Sequence, residues 1–540
     1  MRRFPAAVWG FALALAAITS LPYAVGAVST PAGWAYTGAL PIPAGVQVDF
    51  NSHLAKMWQG ARGHWAYRLP FTHEPHPGLP LVQGFYVALG ALASLTPFSL
   101  AAMYHVARFA LTVGMALALW ALAAHYFDRP LERWLALLFG TIASGWSWIL
   151  LALNPGMTAE LSPIEFWLLD AYNLLGALAM PHFAAAIILQ IFIILTFERW
   201  CRRAGPARGA LLILTLALAA SAIVQPYGAA LFGPLLVILT AYHVFSARRL
   251  ALRRALGLAL PLGVYAGLTA YQALVISSDP VWAGFSAQNQ TLSPLVTYYL
   301  LGYLPFILPA ALGARSFLAA EADDRWWPVI VWIGLVAALL YAPFPTQRRY
   351  LLGVQTPLAL VAAYGWSRAV LPRLRPRLQP AASAAYLALA GAALAAVLAM
   401  NTLALTRPET QLSVYNQPDE RLGYAWLRRE ADPDDLVVTV FGWDGWGSGG
   451  RLAAAAGQRV FAGHWIETVN FDAKIGQLRR FYDSDTPDAW RREFLQAIGA
   501  VYVWFDDDAR TLGDWDPSQA EYLLAVFRSG PVVIYRVIGL

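Results

Sequence analysis

The sequence has little charge and almost no cysteine. Asp, Glu, Lys and Arg make up 13% of the 540 residues, whereas a soluble globular protein carries roughly 25%. Hydrophobic residues make up 58%, and the mean hydropathy is positive. The single cysteine, Cys201, excludes an internal disulfide and a cysteine-based metal cluster. This composition is typical of a polytopic helical membrane protein.

The apolar residues are gathered in runs of roughly 18 or more, each long enough to cross about 30 Å of hydrocarbon. We predict about 11–13 transmembrane helices within a membrane domain of residues 1–405, with a large first outer loop at residues 27–80. The first run is also typical of a signal peptide, but it is long and many runs follow, so we interpret it as a retained helix. The predicted spans lie near residues 5–26, 80–96, 99–125, 132–153, 182–198, 208–225, 227–245, 255–277, 295–313, 326–343, 350–370 and 381–405.

The net charge of +6 does not indicate nucleic-acid binding, because the arginines lie in short loops, where they set membrane orientation. The clusters expected in the cytoplasm are Arg2 and Arg3; Arg199, Arg202, Arg203 and Arg208; Arg248, Arg249, Arg253 and Arg254; and Arg373, Arg375 and Arg377. The segments expected outside are His182, 225–227, 278–294, 347–349 and everything after about residue 405. With residues 154–162 predicted inside, two alternatives stay open: residues 163–180 add a short or re-entrant crossing, or residues 80–96 do not cross.

Residues 406–540 have ordinary charge and short apolar runs. Alternating strand and helix patterns predict a small soluble α/β domain, which we expect on the extracytoplasmic side. The predicted helices are 417–430, 471–482, 487–498 and 517–528, and the predicted strands are 436–442, 499–505 and 531–537. The glycine-rich residues 442–450 are interpreted as a flexible loop.

The most polar part of the first outer loop is residues 45–80, and Asp49 is its first titratable residue. A carboxylate at the wet mouth of a helix bundle is suited to accept a proton from an attacking hydroxyl, as a general base. The alternative is that Asp49 caps an amphipathic helix beginning at Asn51, since Asp, Asn and Ser all favour such positions. Both interpretations stay open, and one residue is able to serve both.

Three further titratable groups follow in the same loop, at His73, Glu74 and His76. Pro75 and Pro77 exclude the helical zinc motif in which two histidines bind metal from successive turns. Hydrogen bonding to sugar or phosphate is one interpretation, and a packed turn is the other. Glu74 is the second candidate catalytic carboxylate.

Near the end of the membrane domain, Arg348 and Arg349 are predicted just outside the bilayer. Arginine binds phosphate with two parallel N–H donors and stays charged. The alternative is anchoring to lipid headgroups. Arg108, inside a predicted span, needs substrate or a buried partner such as Asp170 or Glu165.

Three short stretches carry a resemblance to the GT-C superfamily of membrane glycosyltransferases. Asp49-Phe50-Asn51 occupies the first-loop position of the acidic motif in that family. The run His73-Glu74-Pro75-His76-Pro77-Gly78-Leu79-Pro80 resembles the Pro-Pro-Leu entry to the second span. Arg348-Arg349-Tyr350-Leu351, followed by Pro357-Leu358-Ala359, is similar to the Arg-Tyr and Pro-Leu-Ala stretch late in the membrane domain.

The resemblance implies an inverting enzyme that moves a sugar from a polyprenyl-phosphate donor to a lipid-linked or cell-envelope glycan or protein acceptor. It implies an integral plasma-membrane protein of bacterial type, with its active face outside. Asn51 departs from the paired acids usual in the motif, so we expect no cofactor and no metal, because Mg²⁺ and Mn²⁺ sites favour more carboxylate oxygen. Membrane lipids are expected partners, and nucleic acid is not.

The remaining candidates are polar residues on the predicted outer side. Asn51, His53, His182, Gln288 and Asn289 are candidate substrate contacts, each with a packing role as its alternative. Residues 463–468 and Lys474 form the most polar cluster of the C-terminal domain and are candidates for contact with an acceptor glycan. A lipid transporter and an inactive scaffold with the same fold are the competing functions.

Overall fold

In the computed structural model, the structure describes residues 4–43, 45–153, 163–202, 208–248, 250–319, 324–442 and 445–539. The predictions for Arg2, Arg3, residues 154–162, Arg203 and Arg249 fall outside these ranges. The chain forms two compact units. The first, called the membrane unit here, contains residues 1–21, 105–271 and 290–399, and the second, called the loop unit, contains residues 22–104, 272–289 and 400–540.

The membrane unit is helical, because nearly all of its segments are apolar runs whose backbone groups bond within the helix. Its helices, including those that continue into the loop unit, are Ala6–Ile18, Leu100–Tyr126, Pro130–Thr141, Trp148–Leu153, Asn173–Ala179, Pro181–Arg202, Arg208–Val224, Ala229–Ala241, Leu252–Ala255, Ala259–Ser278, Val296–Gly302, Leu304–Ala319, Trp327–Leu339, Gln355–Gly365, Gln379–Ala390 and Ala392–Ala404.

Among the described residues, five helical stretches are long and apolar enough to cross a membrane, or up to seven when two bent pairs count as spans. This is fewer than the 11–13 predicted. The difference arises because several apolar runs are divided into shorter helices, such as Pro130–Thr141 with Trp148–Leu153. Three further apolar helices, Gly84–Ser94, Arg208–Val224 and Trp327–Leu339, are shorter than a full span.

Two membrane helices cross at a pair of glycines. A Cβ atom on Gly313 would lie 2.5 Å from the Cα atom of Gly365, and one on Gly365 would lie 1.8 Å from the carbonyl oxygen of Pro309. Small residues allow such close backbone approach, which favours helix association in lipid. Leu304–Ala319 and Gln355–Gly365 are therefore held together at this crossing.

The loop unit is built on a five-stranded mixed sheet. Its strand order is Arg459–Val460, Leu436–Val438, Ala500–Phe505, Val532–Val537 and Leu523–Ser529. The first three strands run parallel, and the last two join antiparallel. The unit's helices are Leu21–Val28, Val46–Ala61, Gly84–Ser94, Pro280–Gln288, Pro418–Glu430, Ser448–Ala456, Phe471–Tyr482, Asp488–Ile498 and Asp507–Arg510.

The first outer loop shares the core of this sheet. Val48 is buried in one cluster with Val438 and Val503, and Phe71 is buried in another with Leu452. Two short antiparallel ladders complete the loop. Ala35–Tyr36 pairs with Tyr415–Asn416, and Ala66–Tyr67 pairs with Leu79–Pro80. The loop is therefore a folded part of the loop unit.

The predicted helix at 517–528 is wrong. Leu523–Ser529 is a strand that pairs with Val532–Val537. The turn between them contains Gly530 at φ +49°, a conformation that favours glycine. Cross-strand pairing at this turn overrides the helical pattern. The other predicted helices of this region agree closely, at Pro418–Glu430, Phe471–Tyr482 and Asp488–Ile498.

The predicted flexible loop at 442–450 is wrong in its second half, where the helix Ser448–Ala456 begins; Trp443 and Asp444 lie outside the described residues. A Cβ atom on Gly449 would lie 2.0 Å from the carbonyl oxygen of Ala462. The glycine run therefore allows close packing against the segment that follows the strand Arg459–Val460 instead of providing flexibility.

Candidate functional site

Asp49 lies in the first turn of the helix Val46–Ala61, which we call the first-loop helix. Its N-cap is Gly45, at φ +96°, with no side-chain capping bond. The prediction that Asp49 caps a helix beginning at Asn51 is therefore wrong. The helix begins five residues earlier because Val46, Val48 and other apolar side chains there are buried. Asp49 remains free of a capping role.

The Asp49 carboxylate contacts a histidine from the C-terminal part of the chain. Nε2 of His464 lies 3.3 Å from Oδ1 of Asp49, and the side chains are 3% and 41% exposed, respectively. Nδ1 of His464 accepts from the backbone N–H groups of Ile466, at 3.0 Å, and Glu467, at 3.2 Å. The imidazole proton therefore lies on Nε2 and is donated to Asp49. The buried ring orients a carboxylate that stays open to solvent.

A buried ion pair fixes the segment that carries His464. Nζ of Lys56 lies 2.8 Å from Oε1 of Glu467, with side chains 3% and 9% exposed. Ser52 donates to the same oxygen at 2.6 Å, and the Tyr67 hydroxyl donates to Oε2 at 3.1 Å. Burial alone would raise the pKa of Glu467, but the charge of Lys56 and the hydrogen bonds from Lys56 and Ser52 lower it to about 2. The buried Glu467 carboxylate thus joins the first-loop helix to the segment that carries His464.

Glu74 is held in a second charged contact within the loop unit. Its Oε2 lies 2.7 Å from Nζ of Lys474 and accepts a hydrogen bond from Thr72. Burial opposes ionisation of Glu74, but Lys474 and the hydrogen bonds lower its pKa below the usual value. Burial, together with Lys474, lowers the pKa of His73 to about 4. Glu74 is therefore an ionised partner of Lys474, and His73 is neutral at pH 7.

His76 is fixed by the backbone of its own turn. Nε2 accepts from the N–H of Leu69 at 2.9 Å, and Nδ1 lies 2.7 Å from the carbonyl oxygen of Glu74. The proton therefore lies on Nδ1 and is donated to that carbonyl. Both ring nitrogens form hydrogen bonds to the backbone of the turn, which favours the packed-turn interpretation for His76.

Asn51 and His53 lie on the first-loop helix but are mostly buried, at 5% and 8% exposed. The His53 ring stacks on Tyr86 with centroids 3.9 Å apart and an angle of 12° between the planes. Asn51 lies on the wall of a cavity that also contains Thr37 and Arg428. Asn51 has access to a ligand in that cavity, and His53 packs between helices.

Gln288 connects two segments of the loop unit. Its side-chain nitrogen donates to the carbonyls of Ile466, at 3.1 Å, and Thr468, at 2.9 Å, and its oxygen accepts from the N–H of Asn470 at 2.8 Å. Asn289 ends the helix Pro280–Gln288. The amide of Gln288 therefore positions the loop that carries His464, and its predicted sugar contact stays a prediction.

In the membrane unit, Arg349 contacts a buried carboxylate. Its Nη1 lies 3.3 Å from Oδ2 of Asp170, and the side chains are 27% and 4% exposed. The guanidinium of Arg348 lies over the Trp167 ring, 5.2 Å from its centroid. The two arginines therefore have different surroundings: Arg349 lies beside a carboxylate, and Arg348 lies over an aromatic ring.

Two other predictions in the membrane unit have clear structural outcomes. Arg108 donates to the Ser20 hydroxyl at 2.8 Å and to the Thr19 carbonyl at 3.3 Å, while Asp170 pairs with Arg349. Arg108 therefore bonds to the first span, and of its two predicted carboxylate partners Asp170 pairs with Arg349, while Glu165 accepts from Ser147 and from the N–H of Trp148. His182 lies in the first turn of Pro181–Arg202, in edge contact with Phe183.

Asp49 offers a single carboxylate beside His464. Within the described ranges, no group of three or more His, Cys, Asp or Glu side chains is placed to hold an ion. His464 directs its protonated Nε2 at Asp49, so that nitrogen is not a ligand in this arrangement. Mg²⁺ takes about six oxygen ligands, usually one or two carboxylates together with water and substrate phosphate. A metal-independent transfer therefore stays a prediction.

The sequence placed the polar residues of this site on two distant stretches without indicating how they pair. Asp49 and His464 are 415 positions apart, and so are Ser52 and Glu467. The polar cluster at 463–468 was the available signal, since a soluble domain seldom buries His, Glu and Lys without partners. The sequence pattern indicates Asp170 only as a partner for Arg108.

No protein-family profile matches the chain, and no curated protein sequence matches it. Solved structures do match its fold. The arabinofuranosyltransferase AftD from Mycobacteria has a TM-score of 0.59 at 15% identity, covering 97% of this chain and 40% of that one. ArnT from Cupriavidus metallidurans has a TM-score of 0.52 at 15% identity, covering 98% of each chain. The oligosaccharyltransferase AglB from Archaeoglobus fulgidus has a TM-score of 0.50 at 13% identity, covering 98% and 74%.

These proteins are GT-C membrane glycosyltransferases, so the predicted GT-C-like fold is confirmed. The apolar helices and this fold together define the chain as an integral membrane protein. The small C-terminal sheet is confirmed as well.

Proposed function

We propose that this protein is a membrane glycosyltransferase that moves a sugar from a polyprenyl-phosphate donor to an acceptor hydroxyl. The observation that carries the proposal is the Asp49 carboxylate, 41% exposed and oriented by a buried His464, in a chain with a GT-C-like fold. An AglB structure contains dolichol-phosphate, and an ArnT structure contains undecaprenyl phosphate, which supports a donor of this chemical class.

In the proposed reaction, the acceptor hydroxyl loses its proton to Asp49 as its oxygen attacks the anomeric carbon. The bond from that carbon to the carrier phosphate breaks, and the phosphate leaves with the bonding electrons. Direct displacement inverts the anomeric centre. His464 is a positioning residue: its Nε2–H holds Oδ1, which leaves Oδ2 to accept the proton. A positioned base contributes about 10²–10⁴ in rate.

The carrier phosphate is assigned to Arg348 and Arg349 in the membrane unit. Arg349 already pairs with Asp170, whereas the Arg348 guanidinium lies over Trp167. A guanidinium has five N–H donors, so each arginine is able to keep its contact and also bind phosphate oxygens. We therefore assign the carrier phosphate to both arginines.

The acceptor is proposed to be a lipid-linked or cell-envelope glycan or protein on the outer face, with the C-terminal part of the loop unit on that face. The arginine distribution supports this orientation. A reporter that is active only outside the cytoplasm, fused after residue 540, should be active. Activity of a cytoplasmic reporter at the same position, with the outer reporter silent, would overturn the orientation.

The function is tested with purified protein and a panel of radiolabelled polyprenyl-phosphate sugars, including hexosyl and pentosyl donors. Transfer from at least one donor to an envelope extract is expected, and it should persist in EDTA because the donor set around Asp49 is poor for a divalent ion. Asp49→Asn protein is the matched control for contaminating activity. Equal transfer by the Asn variant, or none from any donor, would contradict the proposal.

A further inference from the structure

A cavity of about 540 Å³ lies beside the C-terminal end of the first-loop helix, within the loop unit. Small-molecule sites usually enclose about 300–1,000 Å³. Ala55 and Gln59, on its wall, are six and ten residues beyond Asp49 on the same helix. At about 1.5 Å per residue, they are separated from Asp49 by about 9 and 15 Å along the helix. The cavity is therefore distinct from the surroundings of Asp49.

The cavity wall is strongly cationic. It contains three arginines, Arg62, Arg68 and Arg459, as well as His64. Asp434 is the one carboxylate among the described wall residues, and it lies 4.0 Å from Arg68 with both side chains more than half exposed. An exposed pair of this kind offsets little of the positive charge. The wall as a whole therefore favours an anion.

Two of the arginines are held in place by the backbone. Nη1 of Arg62 donates to the Gly457 carbonyl at 2.5 Å, Nη2 donates to the Ala456 carbonyl at 3.3 Å, and the guanidinium lies 5.0 Å from the centroid of the Trp58 ring. Nη2 of Arg459 donates to the carbonyls of Thr72, at 3.1 Å, and His73, at 3.3 Å. A guanidinium has five N–H groups, so these contacts fix each side chain and leave donors for a ligand.

The two fixed arginines are partly buried. Burial lowers the pKa of Arg62 and of Arg459, an effect that Asp434 opposes in both cases. Arginine keeps its charge under these conditions. An anionic group that enters the cavity would accept from the remaining N–H groups of the two fixed guanidiniums, and charge-assisted hydrogen bonds of this kind favour a carboxylate or phosphate.

An aromatic side chain completes the wall. Trp65 is 60% exposed although it lies on the cavity. Gln59 lies on the same wall, with its amide bonded to the backbone of Arg68 at 2.7 and 2.9 Å. A flat apolar ring beside fixed polar groups is typical of sites that hold a ring-shaped polar ligand.

We propose that this cavity binds an anionic saccharide. Arg62 and Arg459 hold its carboxylate or phosphate, and the ring of the sugar packs on Trp65. The site is separate from Asp49, and it binds without any transfer reaction. It gives the loop unit a preference for negatively charged glycans over neutral glycans of the same length.

The test is direct binding to the full-length protein in detergent, measured by isothermal titration calorimetry. The probes are tetragalacturonate, maltotetraose as its neutral counterpart, and inorganic phosphate. Tetragalacturonate should bind and maltotetraose should not, and binding should weaken as ionic strength rises. Arg62→Gln or Arg459→Gln should weaken it at least about tenfold, because each removes a charge-assisted hydrogen bond.

Arg479→Gln is the matched control, since it removes one positive charge at an exposed position outside both cavities, and it should leave binding unchanged. If the variants of Arg62 and Arg459 misfold, Arg68→Gln and Trp65→Ala replace them. Both side chains are more than half exposed, so these variants should fold and still weaken binding at least about twofold. Equal binding of both tetrasaccharides, binding of phosphate alone, or no effect of any wall variant would overturn the proposal. Loss of transferase activity alone would not bear on it, because the readout is binding.

Discussion

Replacing Asp49 with Asn separates the proposed base from every structural role of this side chain. The Asp49 side chain is 41% exposed, its contact with His464 is 3.3 Å long, and it caps no helix. Ion pairs that are open to solvent contribute about 0–1 kcal/mol. Asn keeps an oxygen that accepts from Nε2 of His464. The free energy of unfolding should therefore change by less than about 1 kcal/mol.

Turnover should respond quite differently. An amide does not accept the proton of the attacking hydroxyl, and loss of a positioned base costs about 10²–10⁴ in rate. A hundredfold loss corresponds to about 3 kcal/mol in the activation barrier. Donor affinity should stay near that of the unchanged protein, because the lost interaction belongs mainly to the transition state.

The assay combines single-turnover transfer from the donor found in the panel, donor binding and thermal unfolding in detergent. Asp514→Asn makes the same chemical change at an exposed position and should be neutral in all three measurements. A fully active Asp49→Asn protein would refute the assignment. Glu74 would then be the next carboxylate to test, although its contact with Lys474 argues for a structural role.

His464 provides a contrast, because its replacement should affect both turnover and stability. His464→Ala leaves the N–H groups of Ile466 and Glu467 without their acceptor, at about 1–3 kcal/mol each. It also removes the donor that orients Asp49. A turnover loss that a stability-matched variant elsewhere does not reproduce would identify positioning, and unchanged turnover in folded His464→Ala would exclude it.

Three further predictions concern charged contacts. Lys56→Met should destabilise the protein by about 3–5 kcal/mol, because it leaves Glu467 ionised and buried. The control Arg429→Met, which breaks an exposed pair, should cost less than about 1 kcal/mol, and equal unfolding midpoints for the two variants would contradict the prediction. The pKa of Glu467 is about 2 in the folded protein and about 4.5 in the unfolded chain, so about 3 kcal/mol of stability should be lost as the pH falls from 4.5 to 2. Acid unfolding measures this loss, with Glu467→Gln as the control. Arg348→Lys should weaken binding of the polyprenyl-phosphate donor about tenfold, because a point charge does not replace the bidentate fork. The control Arg315→Lys should leave donor affinity unchanged. An Arg348→Lys variant with the same donor affinity as the control would favour headgroup anchoring.

The amino-acid pattern was sufficient for the membrane class and for most elements of the C-terminal sheet. Apolar runs specify helices because a backbone in lipid has to satisfy its own hydrogen bonds. The strand Ala500–Phe505 and the helix Asp488–Ile498 were predicted nearly to the residue, because a continuous apolar run and a terminal glycine mark them locally. The strand Leu523–Ser529 was missed because its pairing partner, rather than its own pattern, selects it.

The chemistry-bearing contacts depend on the tertiary structure. The sequence by itself identified Asp49, Glu74 and Arg348 as residue types suited to base and phosphate chemistry. Only the tertiary structure shows that His464 contacts Asp49 and that Lys474 contacts Glu74. It also shows that the first-loop helix begins at Val46, so that Asp49 is not its cap. Periodicity reports which face of a helix or strand is buried, but it carries no information about which residue 400 positions away will meet that face.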